Sequence, residues 1–185
     1  MKTASYVGAI LDELHGAGSR LSNEELERLA AEISAAGRIF VAGAGRSGLM
    51  MRAFAMRLMH LGLDVYVVGE TVTRSLDRGD LLIVGTGSGE TRSIVPIAEK
   101  ARGLGGKVAA LTLSPDSSIG RLADLVVRLP GAAKDHTYRE GATVQPMGSL
   151  FEQMLLLACD AVILRLMEQR ELNGQTMYGN HANLE

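Results

Sequence analysis

Tryptophan is absent from this sequence, and aromatic residues make up only 4% of it. Nucleic-acid surfaces need basic tracks, often interleaved with aromatic stacking platforms. Here 19 Lys and Arg face 21 Asp and Glu, a formal net charge of −2, so the expected ligand is small and no nucleic-acid partner is expected. The single cysteine, Cys159, excludes an internal disulfide and offers no metal-ligand spacing. No apolar run approaches the ~20 residues of a membrane span. Asp12, Glu13 and His15 interrupt the apolar residues of the N-terminus, unlike a signal peptide. These absences predict a soluble, cytoplasmic protein with no membrane partner. The 185 residues suffice for one sizeable core and are few for two, so one domain over 1–185 is expected.

What the chain does contain is organised around Leu81-Leu82-Ile83-Val84-Gly85-Thr86-Gly87-Ser88-Gly89-Glu90-Thr91-Arg92. An apolar run ends in glycines alternating with hydroxyl residues, and a helical pattern, Ser93 to Leu104, follows. This reads as a buried strand, a tight turn and a helix start. Glycines allow backbone N–H groups to converge on one point, and the hydroxyls of Thr86, Ser88 and Thr91 join them near the positive end of a helix dipole. Phosphate suits such a cradle. A turn that merely connects strand to helix would look the same, and the second loop upstream tips the balance.

That second unit is a strand, Arg38 to Ala42, the loop Gly43-Ala44-Gly45-Arg46-Ser47-Gly48, and a helix from Leu49 to Leu61. Further strands are expected at Asp64–Val68, Lys107–Leu113 and Asp124–Leu129. Two amphipathic helices precede them, Ser5 to Ala17 and one opened by a Ser22/Glu25 capping box and closed by Gly37; they are expected outside the sheet or against a partner subunit. Alternating helices and apolar strands predict an α/β fold, a three-layer αβα sandwich with a five-stranded parallel sheet of the flavodoxin/Rossmann-like kind. The expected divisions are a helical N-terminal extension over 1–37, a sheet core over 38–129, a loop over 130–146 that is functional or mobile, and a final helix and tail over 147–185. The helix, Met147 to Leu166, reads as buried nearly all round, and the tail shows no regular period.

Gly43-x-Gly45-x-x-Gly48 also matches a dinucleotide fingerprint, with Glu70 as the ribose acid. A second cradle at Gly85 to Thr91, and the cation and hydroxyl of Arg46-Ser47, favour a monophosphate instead. A Walker loop is excluded by its missing spacing and lysine. Glu152 lies among Leu150, Phe151, Met154 and Leu155. It reads either as a first-turn residue offsetting the helix dipole or as a carboxylate whose desolvation suits proton abstraction beside a carbonyl. Arg92 is either a phosphate cation or a solvated charge. His60, beside Leu61, reads as a helix C-terminal residue rather than a ligand, and His181 taken alone as a solvated tail residue; His15 and His136 carry no distinguishing context.

With Gly45-Arg46-Ser47-Gly48, Gly85 to Thr91, Gln145-Pro146-Met147-Gly148-Ser149-Leu150-Phe151-Glu152 and Tyr178-Gly179-Asn180-His181-Ala182-Asn183-Leu184-Glu185 together, the chain resembles the sugar isomerase (SIS) domain family over essentially its whole length. Within the family it is similar to the branch that interconverts 3-hexulose 6-phosphate and fructose 6-phosphate in the ribulose monophosphate route of formaldehyde fixation. The resemblance implies a phosphosugar substrate, a cis-enediolate mechanism without metal or cofactor, and a homo-oligomer, specifically a tetramer. It implies Glu152 as base and His181 as a proton shuttle reaching a neighbouring subunit's site. The phosphate would be held by Arg46, Ser47, Thr86, Gly87, Ser88, Gly89, Glu90, Thr91 and Arg92. Non-catalytic phosphosugar sensors and other aldose-ketose phosphate isomerases are the alternatives; a sensor would not need Glu152, and no attached DNA-binding domain is expected.

Overall fold

The computed structural model describes residues 2–132 and 143–184. In chain order the elements are α1 (Thr3–Gly18), α2 (Asn23–Ala35), β1 (Ile39–Gly43), α3 (Gly45–His60), β2 (Val65–Val67), β3 (Leu81–Gly85), α4 (Val95–Gly103), β4 (Lys107–Thr112), α5 (Ser118–Leu122), β5 (Leu125–Arg128), α6 (Ser149–Gln169) and α7 (Gly174–Tyr178). The strands form one parallel sheet in the order β2-β1-β3-β4-β5. The chain winds one way from β1 to β2 and the other way from β3 onward, so β1 and β3 flank the switch point where ligands of doubly wound sheets bind.

Both faces of the sheet are covered, which is why its strands are apolar at consecutive positions. Ile39, Val41, Leu81, Ile83, Ala109 and Leu111 pack against α2, α3 and α6. Their neighbours Phe40, Ala42, Leu82, Val84, Val108 and Ala110 face α4 and α5. The result is the expected three-layer α/β sandwich.

The two N-terminal helices differ from the expectation. Leu29, Ala30 and Ile33 of α2 are fully buried in the main core, because their i, i+1, i+4 spacing presents one apolar stripe to β5 and α6. Only α1 stands off the sheet, packing Leu14 and Ala17 on Leu150 and Met154 of α6. Ser22 caps α2 by accepting from the Glu25 N–H, but Glu25 reaches away to accept from the Arg128 N–H at 2.7 Å, tying α2 to β5.

Three boundaries shift. Gly45 adopts φ +56° and the Gly48 N–H donates to the Ala44 carbonyl, so Gly45–Gly48 is the first turn of α3 rather than a loop before it. Helix α4 starts at Val95 instead of Ser93, after a turn in which the Ile94 and Val95 N–H groups share the Thr91 carbonyl. The tail contains α7, opened by a reciprocal capping box between Asn173 and Thr176. Helix α6 is not buried all round, since Leu157 and Leu164 are exposed on one side. Most of the 130–146 loop, including His136, lies outside the described residues.

Candidate functional site

Sheet register creates the site. Gly43 at the end of β1 lies beside Gly85 at the end of β3, so the two glycine-bearing turns open next to each other. Gly43 and Gly48 make the first turn possible by close approach: a Cβ on Gly48 would stand 2.7 Å from the Gly43 carbonyl oxygen. Between the turns lies a cavity of about 340 Å³, lined by Ser47 from α3, by Thr86, Gly87, Ser88 and Thr91 from the loop after β3, and by Leu113, Gly148 and Phe151. Ser47 and Thr86 are 5% and 3% exposed, so polar oxygens are held in an otherwise shielded wall.

Internal bonds rigidify this loop. The Thr86 and Thr91 hydroxyls are 3.1 Å apart, and the Gly89 N–H donates to Thr86 Oγ1. The Gly87 carbonyl accepts from the Leu113 N–H and the Thr112 hydroxyl, fastening the loop to the end of β4. Above the cavity, the first turn of α3 presents N–H groups that have no intrahelical acceptor. Hydroxyls and N–H donors without a formal positive charge suit a phosphate dianion held by hydrogen bonds.

Not every expected phosphate residue is at the cavity wall. Gly89 is fixed by α5: its carbonyl accepts from the Ile119 N–H, and at its φ of +65° a side chain would collide with Ser117. Glu90 turns away as well, accepting from the Ser118 N–H at 2.7 Å, and this bond and that of the Ser118 side chain hold its carboxyl below the usual range. Arg92 is exposed and does not line the cavity.

Glu152 is 4% exposed, in the first turn of α6 directly after the cavity-lining Phe151. Arg46 Nη1 donates to its Oε2 at 3.2 Å and to Ser149 Oγ at 2.8 Å. Arg46 is therefore bound to the base of α6, although its neighbours Gly45 and Ser47 line the cavity. The contact joins residues 106 apart in sequence, which no local pattern signals. The sequence marks neither Leu113 nor Gly148 as lining the cavity, and Gly148 enters only within the Gln145–Glu152 motif, to which Phe151 also belongs. Its position immediately before Glu152 was the available signal.

His181 lies elsewhere. Its ring stacks on His60 at the C-terminal end of α3, while the cavity opens at the N-terminal end of that helix. Fifteen residues at 1.5 Å each separate the two ends by about 22 Å. Glu70, the acid of the dinucleotide reading, is exposed and paired with Arg52. Among the described residues no group of three His, Cys, Asp or Glu is placed to hold a metal ion, and no helix is long and apolar enough to cross a membrane.

A doubly wound parallel sheet with a hydroxyl- and glycine-lined cavity at its switch point, and a buried carboxylate on the residue after the lining Phe151, defines an α/β small-anion-binding domain. The SIS domain model matches residues 32–161, and the chain belongs to that family. A Bacillus subtilis (strain 168) protein named 3-hexulose-6-phosphate isomerase is 56% identical over 185 residues, covering 100% of both chains. A Mycobacterium gastri protein of the same name is 45% identical over 179 residues, covering 95% of this chain and 88% of the relative. The crystal structure of a Methanococcus jannaschii protein, from which a 3-hexulose-6-phosphate isomerase function was inferred, matches with a TM-score of 0.84 at 32% identity over 98% of this chain and 99% of that one.

Proposed function

We propose that this chain is an isomerase interconverting 3-hexulose 6-phosphate and fructose 6-phosphate. The observation that carries the reading is the full-length, 56% likeness to a relative of that name. The geometry supplies parts that the reaction requires.

Moving a carbonyl from C3 to C2 needs one base. The Glu152 carboxylate takes the C2 proton, and the electron pair of that C–H bond forms the C2–C3 double bond of a cis-enediolate as the C3 carbonyl becomes an oxyanion. Return of the proton to C3 and loss of the proton on O2 leave the carbonyl at C2. Atoms and electrons balance without a redox partner, and metal independence belongs to the same proposal. Ser47, Thr86, Ser88 and Thr91, with the loop N–H groups, hold the phosphate. Anchoring the unreactive end of the sugar lets binding energy align C2 and C3 with the base. Glu90 and Gly89 shape this cradle through α5, and Arg92 supplies positive potential near its mouth.

The proton exchange between O2 and O3 falls to His181 of a neighbouring copy, since its own cavity is about 22 Å away along α3. Exposed Tyr6, Val7 and Leu11 of α1, with Leu157 and Leu164 of α6, are apolar surface suited to such an assembly, and a tetramer is proposed. A single-domain organisation, a cytoplasmic location and a role in formaldehyde fixation complete the reading. The test is formation of fructose 6-phosphate from enzymically generated 3-hexulose 6-phosphate, with and without a chelator. Turnover unaffected by the chelator is expected.

A further inference from the structure

We propose that Arg46 is a positioning residue for Glu152 and not a ligand of the substrate phosphate; this rests on the isomerase reading above. Its place in a glycine-rich turn, between the cavity-lining Gly45 and Ser47, suggests a phosphate cation. Its contacts say otherwise. One guanidinium nitrogen, Nη1, spans Ser149 Oγ at 2.8 Å and Glu152 Oε2 at 3.2 Å.

Ser149 and Glu152 are three residues apart in the first turn of α6 and so share one side of it. Bridging them from α3 fixes the carboxylate relative to its own helix, because the same nitrogen is anchored to Ser149. Two consequences follow from elementary electrostatics. The carboxylate is shielded from water, a setting in which an ionised group needs an opposite charge, and Arg46 supplies one. A guanidinium cannot give up its proton at any working pH, so it orients the base without competing for the substrate proton. Arg46 also belongs to the same helical turn as Ser47, so the turn that meets the phosphate sets the orientation of the base.

Steady-state kinetics on 3-hexulose 6-phosphate separate the two roles, comparing wild type with Arg46→Met, Arg46→Lys and Ser149→Ala. The positioning role predicts that Arg46→Met loses about ten- to a hundredfold in kcat with KM changed less than about threefold, an effect confined to the chemical step. Arg46→Lys recovers part of kcat, and Ser149→Ala shows a smaller loss in the same direction. Inhibition by inorganic phosphate stays at the wild-type level in all three.

A rise in KM of about tenfold with weakened phosphate inhibition and an unchanged kcat overturns the proposal in favour of a phosphate ligand. Unchanged kinetics in Arg46→Met overturn it in favour of a surface pair without function. If Arg46→Met does not fold, Arg46→Lys and Ser149→Ala carry the same readouts. A wild type without turnover instead removes the isomerase reading, and this inference with it.

Discussion

The imidazole of His181 stacks on that of His60, with ring centroids 5.4 Å apart and planes 22° from parallel. Tyr178 also stacks on His181, and the Asn180 side chain donates to the His60 carbonyl at 2.9 Å. The tail is thereby docked on the C-terminal end of α3 through a buried histidine. Arg57 Nη1 lies 3.2 Å from His60 Nδ1, and because a guanidinium only donates, that nitrogen accepts and the ring is neutral.

Burial, followed by the charges of Arg57 and His181, pushes His60 below its ordinary value of 6.5. A histidine depressed in the folded state penalises folding at low pH. The penalty is absent well above 6.5, grows as pH falls through that value towards the folded pKa, and is constant below it. Hydrogen-exchange protection over residues 173–184, taken relative to the intrinsic rate at each pH, is expected to fall between pH 7.5 and 5.5. In His60→Phe, which keeps an aromatic ring for the stack, that pH dependence is expected to shrink; an equal response in both proteins would show that His60 is not its source.

Glu13 of α1 gathers the chain just before α6. Its carboxylate accepts from Thr143 Oγ1 at 2.7 Å, from the Val144 N–H at 2.6 Å and from Gln145 Nε2 at 2.9 Å. Burial alone would raise its pKa, but these bonds outweigh it and hold the group below 4.5. The stabilisation is therefore present above about pH 4.5 and disappears as pH falls through the lower, folded value. Glu13→Ala is expected to cost about 1–3 kcal/mol at pH 7 through the unpaired donors. The difference from wild type narrows in denaturant titrations below pH 4.

Gly48→Ala tests the close approach of β1 and α3. The new methyl would meet the Gly43 carbonyl at 2.7 Å, a backbone atom that has no rotamer to escape into. Overpacking of this kind costs about 1–3 kcal/mol. At about 2–4 °C per kcal/mol for a chain of this size, the loss is visible in a thermal melt. An unchanged melting temperature would show that the turn relaxes freely.

The strands were legible because consecutive apolar residues such as Leu81 to Val84 leave no polar face for solvent, which only a doubly covered sheet tolerates. The cavity was legible in part, since Ser47, Thr86, Gly87, Ser88 and Thr91 lie at two strand ends that the parallel topology brings together. Contacts made after folding were not legible. The attachment of Arg46 to α6, the turning of Glu90 towards α5 and the seat of His181 on His60 each join residues 28 to 121 positions apart, and no local period encodes them. Helix α7 escaped notice because its five residues hold no full apolar stripe and depend on the Asn173 cap. Helix α2 was placed too far out because an amphipathic pattern shows that a face is buried, not what buries it.

Replacing the base tests the account most directly. Fructose 6-phosphate formation is followed in wild type and Glu152→Gln, with 3-hexulose 6-phosphate generated in the cuvette from formaldehyde and ribulose 5-phosphate by a synthase. The account predicts wild-type turnover and a loss of about 10² or more in kcat for the variant, with fructose 6-phosphate still raising the melting temperature of both. A wild type that is stabilised by fructose 6-phosphate yet forms no product, or a Glu152→Gln variant that turns over at the wild-type rate, would contradict it.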